Sequence, residues 1–390
     1  MADEQPLRPY PFEPFQGDLP DELLRMVRTQ PVSRVVLPDG RPAWLVLGYT
    51  EVCRVLADPV FSRYAGRAPE AAAGQPCPRT LTMDGPGHAS LRRLAARAFT
   101  PRHVESRRPR VQEITDRLLD TMEAAGPPAD LVAGLVAPLP TLVTCELLGI
   151  RADDTGQVNA WVADMLSVTA YGSAAAARSR AQLHDYLAAC VQAKRAERGD
   201  DLLSDWLAGS ASQDLTDEEV VGLAFGVLLG GRELSSIAVG LRALFQHPAE
   251  LAALRADPER LPAVVDEILR YTSVSPMFLV QTVQADIELG GETLRAGDAV
   301  MAVPWAANRD PTAFAAPGVF DADRDSNPHI AFGYGPHFCL GAAQGRLEVE
   351  VALGSLVRRF PRLAPAVPLE QLPWRNERFN CGIAEFPVTW

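Results

Sequence analysis

The chain of 390 residues carries 37 Lys+Arg against 49 Asp+Glu, a formal charge of −12, with 47% hydrophobic and 22% charged residues. Such a mix suits a well-packed globular protein, and the acidity speaks against nucleic acid as the main partner. The length admits two domains or one large fold around a buried centre. Basic residues are nearly all arginine, Lys194 being the only lysine. The first fifteen residues, MADEQPLRPYPFEPF, are acidic and proline-rich, without the basic start or apolar stretch of a signal peptide, which implies a cytoplasmic protein. The longest low-charge stretch, Leu131 to Ile150, contains Pro138, Pro140 and Glu146 and reads as buried segments, so no membrane partner is expected. Cys53, Cys77, Cys145, Cys190, Cys339 and Cys381 are scattered with no CxxC pair, which argues against a disulfide framework or a zinc cluster.

In chain order, β-rich runs at Arg34–Leu37 and Ala43–Leu47 precede a helix candidate, Tyr49–Leu56, and a loop rich in Ala, Gly and Pro reaches Thr80. From Gly87 to about Gln246 apolar residues recur three and four apart, the helical period. The longest helix starts at Leu215 behind a Thr216/Glu219 capping box and runs to Pro248. At 1.5 Å per residue, roughly 30 residues would cross about 45 Å. Its middle holds Gly222, Gly226, Gly230 and Gly231; the paired glycines suggest close approach to something flat or a local distortion, with tight helix packing as the plainer account. Strand-like alternation returns at Met277–Leu289 and Val300–Val303. A Pro/Asp/Asn-rich stretch spans Asp310 to His329, a helix spans about Gly341 to Phe360, and Arg378–Trp390 reads as a closing hairpin.

The chemistry concentrates in Ala331-Phe-Gly-Tyr-Gly-Pro-His-Phe-Cys-Leu-Gly-Ala-Ala-Gln-Gly-Arg346. Cys339 stands just before a helix, where the macrodipole and free N–H donors favour a thiolate. Gly333, Gly335 and Gly341 let backbone amides approach the sulfur, and such hydrogen bonds tune a metal–thiolate bond. The other cysteines read as small buried hydrophobes.

This segment resembles the haem-ligand loop of the cytochromes P450, FxxGxxxCxG with a histidine two before the cysteine. Further motifs agree along the whole chain: Glu267-Ile-Leu-Arg270 matches the family's ExxR, and Arg324 is placed to complete its Glu–Arg–Arg triad. Ala307-Asn-Arg-Asp-Pro311 and Met83-Asp-Gly-Pro-Gly-His88 are landmarks in their expected places. The resemblance implies one domain over residues 1–390, mainly α with a minor β-sheet portion, with haem b (iron protoporphyrin IX) sandwiched between the long central helix and the Cys-loop helix. It also implies Cys339 as the iron ligand, with Phe332 and Gly341 beside the haem and His88, Arg92 and His337 on its propionates. The family's further propionate arginine is replaced by Gln281.

A larger departure lies in the central helix. The family's acid–threonine pair is Glu233–Leu234 here, within Gly230-Gly-Arg-Glu-Leu-Ser-Ser236. That threonine hydroxyl helps deliver protons during oxygen activation, an effect worth orders of magnitude. Glu233 is the candidate relay acid. Ser235 points about 100° further round an ideal helix and reaches the site only through an unwound turn. Both hydroxylation and oxidative coupling or ring closure, for instance of an aromatic cyclodipeptide, stay open. So does a haem-binding protein that holds or senses a small molecule without turnover. By the family's topology the substrate would meet Phe225, Arg232, Met277, Phe278, Leu279 and Asn380. Without a fused flavin or iron–sulfur segment, electrons for dioxygen would come from a ferredoxin and its reductase. Arg92, Arg93, Arg97, Arg102, Arg107, Arg108 and Arg110 form either their docking patch or a solvated helix face.

Overall fold

Val32–Val36 and Pro42–Val46 pair as an antiparallel hairpin with Val32 opposite Val46. Its turn closes at Asp39–Gly40, where Gly40 takes φ +82°, a conformation open to glycine at little cost. This computed structural model describes residues 7–14, 16–63, 83–166, 173–210, 215–231, 235–272, 279–376 and 381–390. The chain's contacts gather into two units, Met1–Ala73 with Asp266–Cys339, and Gly74–Val265 with Leu340–Trp390.

The first unit is built on a six-stranded sheet, in the order Arg8–Pro9, Val32–Val36, Pro42–Val46, Ala299–Ala302, Gln281–Val283 and Phe61–Ser62. Its apolar face joins Val32, Trp44, Val46, Val300 and Ala302 to Val52 and Val55 of the helix Tyr49–Ala57 in one core cluster. Trp44 keeps its indole N–H satisfied by donating to Asp298 Oδ2 at 2.8 Å. As its composition implies, the stretch from 310 to 329 forms no regular element.

The second unit is helical around a core that includes Leu91, Val162, Leu183, Trp206, Leu223 and Phe225. Thr216 caps the helix Asp217–Gly230: its hydroxyl accepts from Glu219 N at 3.3 Å and Glu219 Oε2 accepts from Thr216 N at 3.0 Å. The path resumes as Ser235–Gln246, and residues 232–234 lie outside the described residues. Pro248 does more than stop this helix; it is the first residue of the next, Pro248–Ala256, where its missing N–H is no loss. By length and composition alone the segment Asp217–Gln246 could cross a membrane, but a buried core helix passes the same test.

The glycine pair resolves unevenly. A Cβ on Gly231 would collide with Thr144 Oγ1, and Thr144 donates to Gly231 O at 3.1 Å, so helix packing explains that glycine. A Cβ on Gly230 would meet nothing within 4 Å. The expected closing hairpin in the tail is corrected. Gly382–Ile383 pairs back onto Trp374–Arg375, while Pro387–Thr389 lies between Ala364–Pro365 and Ala129–Asp130. The two tail strands diverge because Asp130 Oδ1 captures Phe386 N at 2.9 Å and draws the buried Phe386 into the second sheet.

On the helix Ala342–Arg359, Glu348 is buried and accepts from Gln344 Nε2 at 2.9 Å. Burial pushes its carboxyl from 4.5 up to about 8. The folded state therefore holds a proton that the unfolded chain has released, so stability falls as pH rises from about 4.5 and levels off above about 8. Glu348→Gln keeps the acceptor and removes the titration. Thermal melts of this variant should match the parent near pH 5 and exceed it by several degrees above pH 8; a difference independent of pH would contradict the assignment.

Candidate functional site

In the first unit Glu267 and Arg270 lie one turn apart on the helix Leu261–Tyr271, and both are fully buried. Arg270 Nε and Nη2 donate to the two Glu267 oxygens at 2.7 Å each, the bidentate geometry in which arginine is strongest. Arg324 Nε adds contacts to the same oxygens at 3.1 and 3.2 Å, and Asp321 N donates to Oε1 at 2.7 Å. The remaining donors go to backbone. Arg270 Nη1 reaches Asn308 O and Pro317 O at 3.0 and 2.8 Å, and Arg324 Nη2 reaches Ala316 O at 3.1 Å. Ala316, at φ +43°, is the non-glycine residue of positive φ among the described residues, a strained conformation fixed by that contact.

The Asn308-Arg309-Asp310 run, read in sequence only as a landmark, holds the irregular segment in place. Asn308 Oδ1 accepts from Ile330 N at 2.8 Å, immediately before the cysteine loop. Arg309 stacks 3.7 Å from the Tyr271 ring centre and donates to Tyr271 O at 2.8 Å, while Asp310 Oδ2 accepts from Tyr49 N at 2.8 Å. Side chains this buried, two of them charged, signal a structural network that the motif alone does not reveal.

The cysteine loop then folds on itself. Cys339 N donates to Phe332 O at 2.8 Å and Phe338 N to Gly335 O at 3.0 Å. Phe332 and Phe338 flank the loop as an edge-on pair with ring centres 6.4 Å apart. Gly335 is required twice over: its φ is +71°, and a Cβ there would sit 2.7 Å from Leu56 O and 2.9 Å from Ala57 Cα. Gly341 has φ −88°, and a Cβ there would meet nothing within 4 Å, so the chain itself does not demand glycine. The Cys339 thiol is exposed, unlike buried Cys145 and Cys381. His337 lies half-buried in the turn Gly335–His337.

Gln281 departs from its expected role. It is buried, and its amide nitrogen donates to Val55 O and Phe61 O at 3.2 Å each, which uses both hydrogens and fixes the amide orientation. No donor remains for a carboxylate; Gln281 ties strand to helix instead. In the second unit His88 and Arg92 stand four apart on the helix Gly85–Ala96, His88 buried and Arg92 half-buried, on one face as the spacing requires. Ser235 is buried against the Trp374–Arg375 and Gly382–Ile383 pair, its Oγ 2.7 Å from where a Gly382 Cβ would stand. Phe225 is a core side chain, 2% exposed within the unit's apolar cluster, and does not form a substrate wall. Leu279 belongs to the first unit and is exposed. Arg232, Glu233, Leu234, Met277, Phe278 and Asn380 lie outside the described residues.

The arginine-rich segment is less basic than its composition. Arg108 pairs with Glu105 and Glu350, Arg110 with Glu113 and Glu146, and Arg107 is half-buried, whereas Arg93, Arg97 and Arg102 are exposed without an ion pair among the described residues. The donor set suits a haem. A soft exposed thiol with its own N–H committed to the loop can ligate iron, Phe332 and Phe338 offer apolar rings, and imidazole and guanidinium donors suit propionates.

An exposed cysteine in a loop of fixed shape is the feature such chemistry needs, and comparison with known proteins gives the class. The cytochrome P450 family model matches residues 28–372, and the chain belongs to that family. It is 43% identical over 395 residues to the nocardicin C N-oxygenase of Nocardia uniformis subsp. tsuyamanensis, covering 98% of each chain. Among solved structures, SgvP, described as a candidate thioether synthase in the tailoring of griseoviridin, superposes with a TM-score of 0.92 at 39% identity over 99% of this chain and 100% of its own. Cytochrome P450mel 107F1, described as having biaryl coupling reactivity, gives 0.90 at 34% identity over the same shares. The protein is an oxidoreductase of the P450 monooxygenase type with the P450 fold.

The two loop glycines separate fold from ligand demands. Gly335→Ala should lower unfolding stability by about 1–3 kcal/mol in urea titrations, while Gly341→Ala should leave it unchanged; equal effects would contradict the packing described for Gly335.

Proposed function

We propose that this chain is a haem b-dependent cytoplasmic enzyme that oxidises a small, moderately hydrophobic natural product with dioxygen and ferredoxin-delivered electrons. The observation that carries the reading is the exposed Cys339 thiol in a loop whose shape is set by Gly335 and by the bond from Cys339 N to Phe332 O. A haem held by this thiolate would supply an iron centre able to activate dioxygen for substrate oxidation. His88, Arg92 and His337 hold the propionates, and Phe332 and Gly341 lie beside the macrocycle. Residues 1–390 then act as one functional domain, a view supported by a single family model that runs through both units.

Proton delivery rests on Glu233, because Leu234 lacks a hydroxyl and Ser235 is buried against Gly382. That weakened relay favours a second outcome, oxidative coupling or cyclisation, a reactivity in the printed description of P450mel 107F1. A separate ferredoxin and reductase supply electrons through the exposed cations Arg93, Arg97 and Arg102. The names of the nocardicin C N-oxygenase and of SgvP, described in the tailoring of griseoviridin, support a secondary-metabolite substrate. Arg232, Met277, Phe278, Leu279 and Asn380 remain candidate substrate contacts.

Cys339→Ala and Cys339→His should abolish the absorption at about 450 nm of the reduced carbon monoxide complex. Persistence of that band in either variant would refute the ligand assignment. With substrate and labelled dioxygen, label in the product marks oxygen insertion, and an unlabelled coupled product marks the second outcome.

A further inference from the structure

The stretch from Asn327 to Gly333 leads into the cysteine loop and lies with it in the first unit. Its backbone is held step by step. Tyr49 Oη donates to Pro328 O at 2.7 Å, His329 N to Asn327 O at 2.8 Å, Ile330 N to Asn308 Oδ1 at 2.8 Å and Gly333 N to Ile330 O at 2.9 Å. Ala331 N differs in kind, because its acceptor is a side chain of the stretch itself, His329 Nδ1, at 3.4 Å. The oxygenase reading gives that imidazole no task.

The His329 side chain is 7% exposed. Its Nε2 meets Asp266 Oδ1 at 3.5 Å, on the helix that also carries Glu267. A backbone N–H only donates and a carboxylate only accepts, so the two contacts set the tautomer, with Nδ1 bare and Nε2 carrying the hydrogen. Both contacts are long. A ring this buried leaves little room for water to compete, however, and among the described residues neither nitrogen has another partner. The same ring packs on Phe332, with centres 6.3 Å apart and planes at 51°. Phe332 O is the acceptor of the Cys339 amide at 2.8 Å. One side chain therefore touches the turn at the Ala331 amide and at the Phe332 ring, immediately before the carbonyl that shapes the loop.

We propose that His329 is a positioning residue for the Cys339 ligand. Asp266 holds the Nε2–H, which leaves Nδ1 to accept from Ala331 N, and this bond together with the Phe332 contact fixes the turn whose carbonyl takes the Cys339 amide. A turn released at Ala331 loosens that carbonyl, and the thiolate then leaves iron more readily. The inference rests on the reading of Cys339 as the haem ligand.

The test follows the carbon monoxide complex of the reduced holoenzyme, timing the loss of its band at about 450 nm. His329→Phe keeps a ring against Phe332 and deletes both nitrogens, so the band should decay about tenfold faster. His329→Asn places an acceptor near the position of Nδ1 and should restore most of the parental lifetime, a rescue that a space-filling role would not give to the smaller side chain. Asp266→Asn, whose amide donates as well as accepts and no longer fixes the tautomer, should fall between the parent and His329→Phe. Hydrogen exchange at the Ala331 amide should be about tenfold faster in His329→Phe and near parental in His329→Asn. The proposal is overturned by a parental lifetime in His329→Phe, by His329→Asn decaying as fast as His329→Phe, or by Asp266→Asn matching the parent. A parent enzyme without the band would refute the ligand reading instead, and the Ala331 exchange would then decide the positioning, unchanged rates overturning it.

Discussion

A carboxylate with no access to solvent must be neutralised or it unfolds its surroundings, and Glu267 meets that demand with every lone pair it has. Two guanidiniums and the Asp321 amide converge on it. Removing one partner from such a group typically costs about 3–5 kcal/mol, because a buried charge is left uncompensated. The same guanidiniums spend their other donors on the carbonyls of Asn308, Ala316, Pro317 and Val319. An otherwise irregular stretch thereby acquires one conformation, strained Ala316 included. From there Asn308 passes the constraint to Ile330, and the turn past Ile330 delivers Cys339.

The helical unit solves a different problem. Its two helical segments, Asp217–Gly230 and Ser235–Gln246, run close past their neighbours. Gly231 accepts Thr144 at its carbonyl, and Ser235 packs onto Gly382. The second contact bears on chemistry, since Ser235 is held in a packing role. Leu234 stands where the resemblance expects threonine, which is why the proposed proton relay turns to Glu233.

Much of this was legible in the sequence, for stated physical reasons. Helical periodicity, the Thr216 box and the strands around Trp44 follow local rules that packing here does not override. The cysteine loop was legible because its residue types are rare in combination. Other features depend on partners far apart in the chain. Gln281 reads as a polar substitute for an arginine until Val55 O and Phe61 O are seen to take both of its protons. Phe225 reads as pocket wall by the family's topology, although a single apolar residue is more often plain core, and its burial decides for core. The tail reads as a hairpin because alternation cannot show that Asp130 claims Phe386. Seven arginines read as either a docking patch or a solvated helix face, and neither reading shows that acids from other helices pair with Arg108 and Arg110. Glu348 gave no signal, since a glutamate within a helical pattern looks solvated until the fold encloses it.

The central claim is that the Glu267 charge cluster holds the cysteine loop in shape, and native-state hydrogen exchange of Glu267→Gln tests it directly. The account predicts that the amides of Asp321, Ile330 and Cys339 exchange about tenfold faster or more, while those of the paired strands Val32–Val36 and Pro42–Val46 keep their protection. Unchanged exchange from 310 to 339, or equal acceleration across those strands, would contradict it.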